Sequence, residues 1–161
     1  MTNLIELKIA ERSPFAESHP FGATGPYERL AGRAHFAVDP RTPAQAGITD
    51  LDKSPVDAEG RVRFAADILI LKPKDMALGN RRLFLDYGNR GNVRALQFFN
   101  DAPGSNDPRS LEHAGNGFLM RRGYAIAWIA WQGDLLPGDG RMLLDLPVAT
   151  DRGEPITPAT R

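Results

Sequence analysis

The chain has 161 residues, about the length of one domain, and can bury a core of ordinary size. Its 20 basic and 20 acidic residues balance, so no overall charge favours nucleic acid or an anionic membrane surface as a partner. The absence of cysteine excludes disulfides, a thiol nucleophile and Cys-ligated zinc.

The first part of the chain, residues 1–75, is predicted to be β-rich and antiparallel. Alternating apolar and polar residues indicate strands at 4–10, 29–38, 47–51 and 61–73. The glycines and prolines of 19–28 are typical of a loop, because neither residue fits well inside a regular element.

The N-terminus lacks the basic and uninterrupted apolar stretches of a signal peptide. The longest apolar runs, at 68–71 and 124–131, fall far short of the roughly 20 residues that a membrane helix needs. We therefore expect a cytoplasmic protein with no membrane partner, or a mature form whose export signal is missing.

The second part, residues 81–149, is predicted to contain one βαβ unit. The pattern indicates strands at 81–87, 124–131 and 142–149, with helices at 92–100 and 116–122. Asp107 and Pro108 fit the N-cap and first position of a further helical turn. Asn116 is placed to cap the second helix and Gly123 to end it, and the tail 150–161 is polar and turn-rich.

This arrangement contains a physical inconsistency. Parallel strands are normally covered by helices on both faces of the sheet, and two short helical stretches are too few for that. Either the sheet is mostly antiparallel with a small parallel corner, or more chain follows Arg161. We expect the second, so that residues 1–161 form a single, incomplete domain.

The segment YGNRGN, residues 87–92, is the main candidate for a functional site. It follows a predicted parallel strand, at the edge where open α/β sheets bind their ligands. Its two glycines permit positive φ and leave backbone N–H groups free to bind an anion. It matches neither nucleotide-binding glycine motif. A ligand-free connection, in which Asn92 only caps the helix, explains the residues equally well.

No catalytic residue is predicted elsewhere. None of the five serines lies in the G-x-S-x-G elbow of α/β-hydrolases. The three histidines lack metal-ligand spacing, although His113 lies nearest in sequence to the candidate loop. The acidic stretch 50–60 carries Pro55 where a calcium loop needs glycine, so no calcium site is expected there. No other metal site and no cofactor is expected in the chain.

Two further pairs have open or structural interpretations. Asp86 and Asp134 follow the two parallel strands, and either converge at the sheet edge or serve as caps and turn residues. Trp128 and Trp131 are predicted to pack in the core. The arginine pairs of the chain are short and form no nucleic-acid surface.

From about Gly25 onward the chain resembles a known family. The segments are GPYERLAGRAHFAVDP, LFLDYGNRGN, FFNDA and GNGFLMRRGYAIAWIAWQGD. Together they resemble the N-terminal part of the large bacterial proteins called alpha/beta hydrolase domain-containing. The resemblance implies an α/β fold: a partial α/β-hydrolase-like mixed sheet with one βαβ unit, preceded by the β-rich antiparallel region.

The resemblance also implies roles for the loop. Gly88 and Asn89 would contribute a backbone N–H to an oxyanion hole, and Arg90 and Gly91 would shape it. Tyr87 and Asp134 would lie nearby. Ester or acyl hydrolysis is the implied activity, with a small ester or acyl compound as substrate. The nucleophile, acid and histidine would follow Arg161, so this chain would be inactive alone.

Two alternatives stay open. The chain is a non-catalytic module that binds a small anion or another molecule, or a truncated product with no function of its own. A truncated product would expose the unpaired edge of an interrupted sheet, through which the chain would self-associate.

Overall fold

Eight strands and three short α-helices occur within residues 4–157, the part of the chain that this computed structural model describes. The strands are β1 (Leu4–Pro14), β2 (Tyr27–Val38), β3 (Val62–Pro73), β4 (Leu83–Asp86), β5 (Ala125–Ile129), β6 (Leu144–Asp145), β7 (Thr150–Asp151) and β8 (Glu154–Pro155). The helices are α1 (Ala95–Asn100), α2 (Leu111–Ala114) and α3 (Phe118–Arg121). The longest has six residues, so none in this range has the length and apolarity that crossing a bilayer requires.

Six strands form one mixed, mostly antiparallel sheet. Its order is β1-β2-β3-β5-β4, and β6 pairs with the free end of β3. The pairs β1–β2, β2–β3, β3–β5 and β3–β6 are antiparallel, whereas β4 and β5 are parallel. The β-rich antiparallel first part and the single βαβ unit are therefore confirmed. Apart from this one parallel pair, the sheet of the described residues is antiparallel.

The helices cover only one face of the parallel corner. Side chains alternate between the faces of a strand, so Ile126 and Trp128 of β5 point to one side. Both are fully buried and belong to one apolar cluster with residues of all three helices. The opposite face of β4 carries Leu83 and Leu85, which are 60% and 40% exposed. The core of this region is thus one-sided.

Asn100 joins the three helices from inside. Its side chain is fully buried at the end of α1. Its Nδ2 donates to the carbonyl of Ala114 in α2 at 3.0 Å, and its Oδ1 accepts from the N–H of Leu119 in α3 at 3.0 Å. Because a buried amide is costly unless both ends are bonded, this residue fixes how the helices meet.

A four-residue ion-pair network ties the first part of the chain to the second. Arg109 donates to both carboxylate oxygens of Glu11, at 2.6 and 2.9 Å, and the buried Arg29 donates to Glu11 at 3.1 Å. Asp107 pairs with both arginines. The network fastens the 107–109 loop to strands β1 and β2.

Two strand predictions are wrong or too long. Residues 47–51 form turns and the start of a 3-10 helix (Leu51–Lys53), because they belong to the connection between β2 and β3, which pair with each other along their whole length. The predicted strand 142–149 shortens to β6, Leu144–Asp145, since β5 already occupies the neighbouring stretch of β3.

Two placements of single residues also differ from the prediction. The helical turn assigned to Asp107 begins instead after Ser110, the N-cap of α2. Trp128 is buried as predicted, but Trp131 is 54% exposed because it lies beyond the end of β5.

The remaining predictions at this level hold in part. Asn116 accepts from the N–H of Phe118 at 2.9 Å, although the N-cap of α3 is Gly117. Gly123 has φ +77, as expected of a residue that ends a helix. In the predicted tail, β7 and β8 form a small hairpin, and residues 158–161 lie outside the described part.

Candidate functional site

The loop 87–92 leaves β4 at the carboxyl end of the parallel pair β4–β5. Asn89–Gly91 form a short 3-10 turn, and α1 begins at Ala95. Tyr87 is exposed, whereas Gly88 and Gly91 are buried. The loop therefore lies where the sequence predicted it, at the carboxyl end of a parallel strand pair.

The two glycines are required for different reasons. Gly91 has φ +73, and a Cβ there would lie 2.6 Å from the carbonyl oxygen of Met142. Gly88 has φ −55, so the expected positive φ does not occur there. It is required because a Cβ would overlap the backbone oxygen of Asn92. Both positions are closed to larger residues by neighbouring backbone.

The concave arrangement of donors is built on Asn89 and Arg90. Asn89 is the first residue of the 3-10 turn and has a negative φ, and Arg90 is left-handed with φ 55 and ψ 38. A right-handed residue followed by a left-handed one turns successive N–H groups toward one point, which forms an anion-binding nest. The sequence placed the positive φ on the glycines, and the structure places it on Arg90 and Gly91.

The segment after β5 holds this loop in place. Trp131 Nε1 donates to the carbonyl of Gly88 at 3.0 Å, and the side-chain oxygen of Gln132 accepts from the backbone N–H of Arg90. The Arg90 guanidinium pairs with Asp134 at 2.6 Å. Two backbone groups of the loop and the Arg90 side chain are thus held by side chains from one neighbouring segment.

The donors of the loop differ in availability. The N–H of Arg90 is used by Gln132. Within residues 4–157, the N–H groups of Gly88 and Asn89 have no hydrogen-bond partner outside the 3-10 turn itself. These are the two groups that the resemblance assigned to an oxyanion.

The two aspartates of the sheet edge have separate structural roles. Asp86 Oδ2 accepts from the fully buried indole of Trp128 at 2.8 Å and from the N–H of Ala95 at 2.9 Å and of Arg94 at 3.3 Å. The hydrogen bond from Arg90 lowers the pKa of Asp134. Asp86 therefore caps the start of α1, and Asp134 anchors the loop through Arg90. The two carboxylates are not hydrogen-bonded to each other.

A polar cavity of about 530 Å³ opens beside the loop. Asn92, Arg94, Asn106 and Arg141 contribute to its lining. Asn106 Nδ2 donates to Asn92 Oδ1 at 3.2 Å, which connects the cavity wall to the loop. Asp139 also lines the cavity and pairs with Arg141 at 2.9 Å, so the groups that favour a polar ligand over an apolar one are the Arg94 guanidinium and the two amides.

The serine and histidine nearest this region form no catalytic arrangement. Ser105 lines the cavity, and its Oγ accepts from the N–H of Asp107 at 3.1 Å. No basic side chain of the described residues is hydrogen-bonded to it. Ser110 Oγ lies 3.0 Å from His113 Nδ1, but that nitrogen also faces the N–H groups of Arg109 and Ser110. The pair is the capping box of α2.

No group of three or more His, Asp or Glu side chains within residues 4–157 is placed to hold a metal ion. The carboxylate of Asp57, in the predicted acidic loop, is paired with Arg63 at 2.6 Å.

Comparison of the chain with known protein families, with curated proteins and with solved structures finds no match. The function of the loop therefore rests on its geometry. That geometry depends on Trp131 and Gln132, which sequence reasoning did not assign to the site. The sequence signal for these two residues was their position directly after β5, which places them at the same edge of the sheet as the loop.

Proposed function

We propose that the loop 87–92 is the oxyanion-binding part of an ester or acyl hydrolase of the α/β-hydrolase type. The observation that carries this proposal is the pair of partner-free N–H groups of Gly88 and Asn89 at the carboxyl end of a parallel strand pair. In α/β-hydrolases, one oxyanion N–H comes from the loop between a strand and the first helix. The loop between β4 and α1 has the corresponding position.

Preorganisation supports the same proposal. Oxyanion donors are effective when they are fixed before the reaction, and one such donor contributes about 3–4 kcal/mol to a tetrahedral transition state. Here the contacts of Trp131, Gln132 and Asp134 fix the loop backbone in advance. The donors would therefore need little rearrangement when charge develops on a substrate oxygen.

The proposal assigns only part of an active site to the described residues. No serine among them stands beside the loop with a base at hydrogen-bond distance, and the Ser110–His113 pair is engaged in a helix cap. We therefore expect no turnover of p-nitrophenyl acetate by this chain and no covalent labelling by a fluorophosphonate. A labelled serine would overturn the assignment of a partial site.

The experiment that tests the donors is the replacement of Asn89 by proline. Asn89 is the first residue of the 3-10 turn, where proline fits, and the substitution removes the N–H. Asn89→Ala is the matched control because it keeps the N–H. Amide NMR of the full chain during titration with methylphosphonate, a tetrahedral anion, follows binding directly.

We expect the Gly88 and Asn89 amides of the unmodified chain to shift saturably with methylphosphonate. Asn89→Pro should weaken binding about tenfold, the loss expected for one hydrogen bond to a charged group, and Asn89→Ala should bind normally. Equal binding by the two variants, or unshifted Gly88 and Asn89 amides, would contradict the proposal.

A non-catalytic anion-binding module is the second candidate. It is favoured by the polar lining of the neighbouring cavity, with the Arg94 guanidinium and two amides, together with the absence of an activated nucleophile among the described residues. The two candidates differ in whether extending the chain, or adding another protein to it, produces ester hydrolysis. Methylphosphonate binding without ester hydrolysis, whatever component is added, would favour the binding module.

A further inference from the structure

The two edges of the main sheet are protected to different degrees. β1 carries Glu6, Lys8, Glu11 and Arg12, and its pairing with β2 has two register shifts. Charged residues and bulges are the usual means by which an edge strand avoids pairing with another chain. β4, the opposite edge, is the regular apolar strand LFLD, and within residues 4–157 no strand pairs with its outer side.

The backbone groups of β4 that face outward belong to its leucines. The N–H of Ala125 in β5 donates to the carbonyl of Arg82. In a parallel ladder, alternate residues of one strand bond the same neighbour, so Phe84 and Asp86 also bond β5. The N–H and C=O groups of Leu83 and Leu85 therefore point to the bare edge, and their side chains are exposed as well.

Apolar side chains border this edge on both sides. Leu83 and Leu85 lie on the helix-free face, and Phe98 and Phe99 of α1 are exposed on the other. Phe99 contacts Phe84 edge-on, with ring centroids 4.8 Å apart. An apolar border around unpaired backbone groups favours the addition of another strand.

We propose that β4 pairs antiparallel with β4 of a second copy of this chain, with Phe84 at the twofold axis. This register puts Leu83 opposite Leu85 of the second copy, so the outward-facing backbone groups bond each other. It also puts Arg82 opposite Asp86 of the second copy. Asp86 Oδ1 has no partner within the described part of the chain, since all three bonds of that residue use Oδ2.

The charge pattern selects this register over the two neighbouring ones that use the same backbone groups. With Leu85 at the axis, Phe84 would oppose Asp86 of the second copy, and with Leu83 at the axis, Phe84 would oppose Arg82. No opposite charges would meet in either register. With Phe84 at the axis, the basic start and the acidic end of the strand meet twice. An isologous pair of this kind closes on itself, which gives a dimer rather than a fibre. The inference is independent of the proposed function.

Analytical ultracentrifugation of the full chain over a concentration series tests the proposal. We expect a dimer that Leu85→Lys converts to a monomer, because a lysine is placed on the pairing strand. Leu7→Lys, an exposed leucine on the other edge strand, is the matched control and should leave the dimer intact. A monomer at all concentrations, or a dimer that survives Leu85→Lys, would overturn the proposal.

Disulfide trapping tests the register. The chain has no cysteine, so any disulfide that forms must join introduced cysteines. The double variant Leu83→Cys/Leu85→Cys should form a covalent dimer readily, whereas Leu83→Cys alone should not, since that position does not oppose itself. Equal trapping of both variants would also overturn the proposal. So would a chain that stays monomeric while a different polypeptide pairs with β4.

Discussion

The side-chain oxygen of Gln132 accepts a hydrogen bond from the backbone N–H of Arg90, 42 residues earlier in the chain. The acceptor is a neutral amide oxygen with partial negative charge, and it occupies the nest that Asn89 and Arg90 form. The protein thus supplies its own occupant for one donor of the candidate site. An incoming anion has to share the nest with this oxygen or displace it.

Removing the amide oxygen should therefore improve anion binding. Gln132→Ala frees the N–H of Arg90 while the contacts of Trp131 and Asp134 still hold the loop, and we expect methylphosphonate to bind about fivefold more tightly, the effect of roughly 1 kcal/mol. Gln132→Glu places a permanent negative charge in the nest and should weaken binding below that of the unmodified chain at neutral pH. Titration followed by NMR measures both constants.

Leu136→Ala is the control for these two variants, because Leu136 is exposed in the same segment after β5. It should bind the anion as the unmodified chain does. If Gln132→Ala and Gln132→Glu shift the affinity in the same direction, the nest is not where the anion binds.

Asp86 should be the most important polar residue for the stability of the β4–α1 region. Asp86→Ala removes the partner of the buried Trp128 indole and of two N–H groups at the start of α1. We expect a loss of roughly 2–4 kcal/mol in the free energy of unfolding, measured with urea. Asp86→Asn keeps an acceptor oxygen and should lose less. Similar losses for both would show that the charge, not the geometry, is what the site needs.

Replacing Asn100 should loosen the helices relative to one another. Asn100→Ala leaves the carbonyl of Ala114 and the N–H of Leu119 without their partner in a buried site. The expected loss is roughly 2–4 kcal/mol in the free energy of unfolding. Asn116→Ala, at an exposed asparagine, should cost about 1 kcal/mol or less. Comparable effects at the two positions would contradict the role of Asn100.

The ion-pair network predicts a loss of stability in acid. The hydrogen bonds from Arg109, with the charge of Arg29, outweigh desolvation and lower the pKa of Glu11 from 4.5 to about 2. The stabilisation is complete above pH 4.5. As the pH falls toward 2, the unfolded chain takes up a proton before the folded one, and the stabilisation is lost.

Urea unfolding between pH 5 and pH 2 checks this prediction. Glu11→Gln removes the titrating carboxyl, so its stability should depend less on pH in this interval than that of the unmodified chain. Identical pH dependence of the two proteins would show that Glu11 does not contribute.

Local pattern was sufficient for the long strands and for the place of the loop. The alternation of residues 29–38 and 61–73 predicted β2 and β3 closely, because both strands pair over their whole length. The apolar run that ends in YGNRGN predicted the end of β4 and the connection to α1. These features depend on neighbours in sequence.

The errors arise where distant residues decide the outcome. Residues 142–149 have the composition of a strand, yet only two pair with β3 because β5 holds the adjacent stretch. Trp131 continues an apolar run, but its indole bonds the carbonyl of Gly88 instead of entering the core. The contact between Gln132 and Arg90 joins two loops, and no local pattern indicates such a pairing.

The unequal lengths of the strands imply an order of local opening. β2 and β3 pair along twelve residues each in the middle of the sheet, whereas β4 has four residues and one paired side. Amide hydrogens of β2 and β3 should exchange with solvent only on global unfolding, and those of β4 through cheaper partial opening. The candidate loop begins at the end of this short strand, so its donor geometry persists only as long as β4 stays paired with β5.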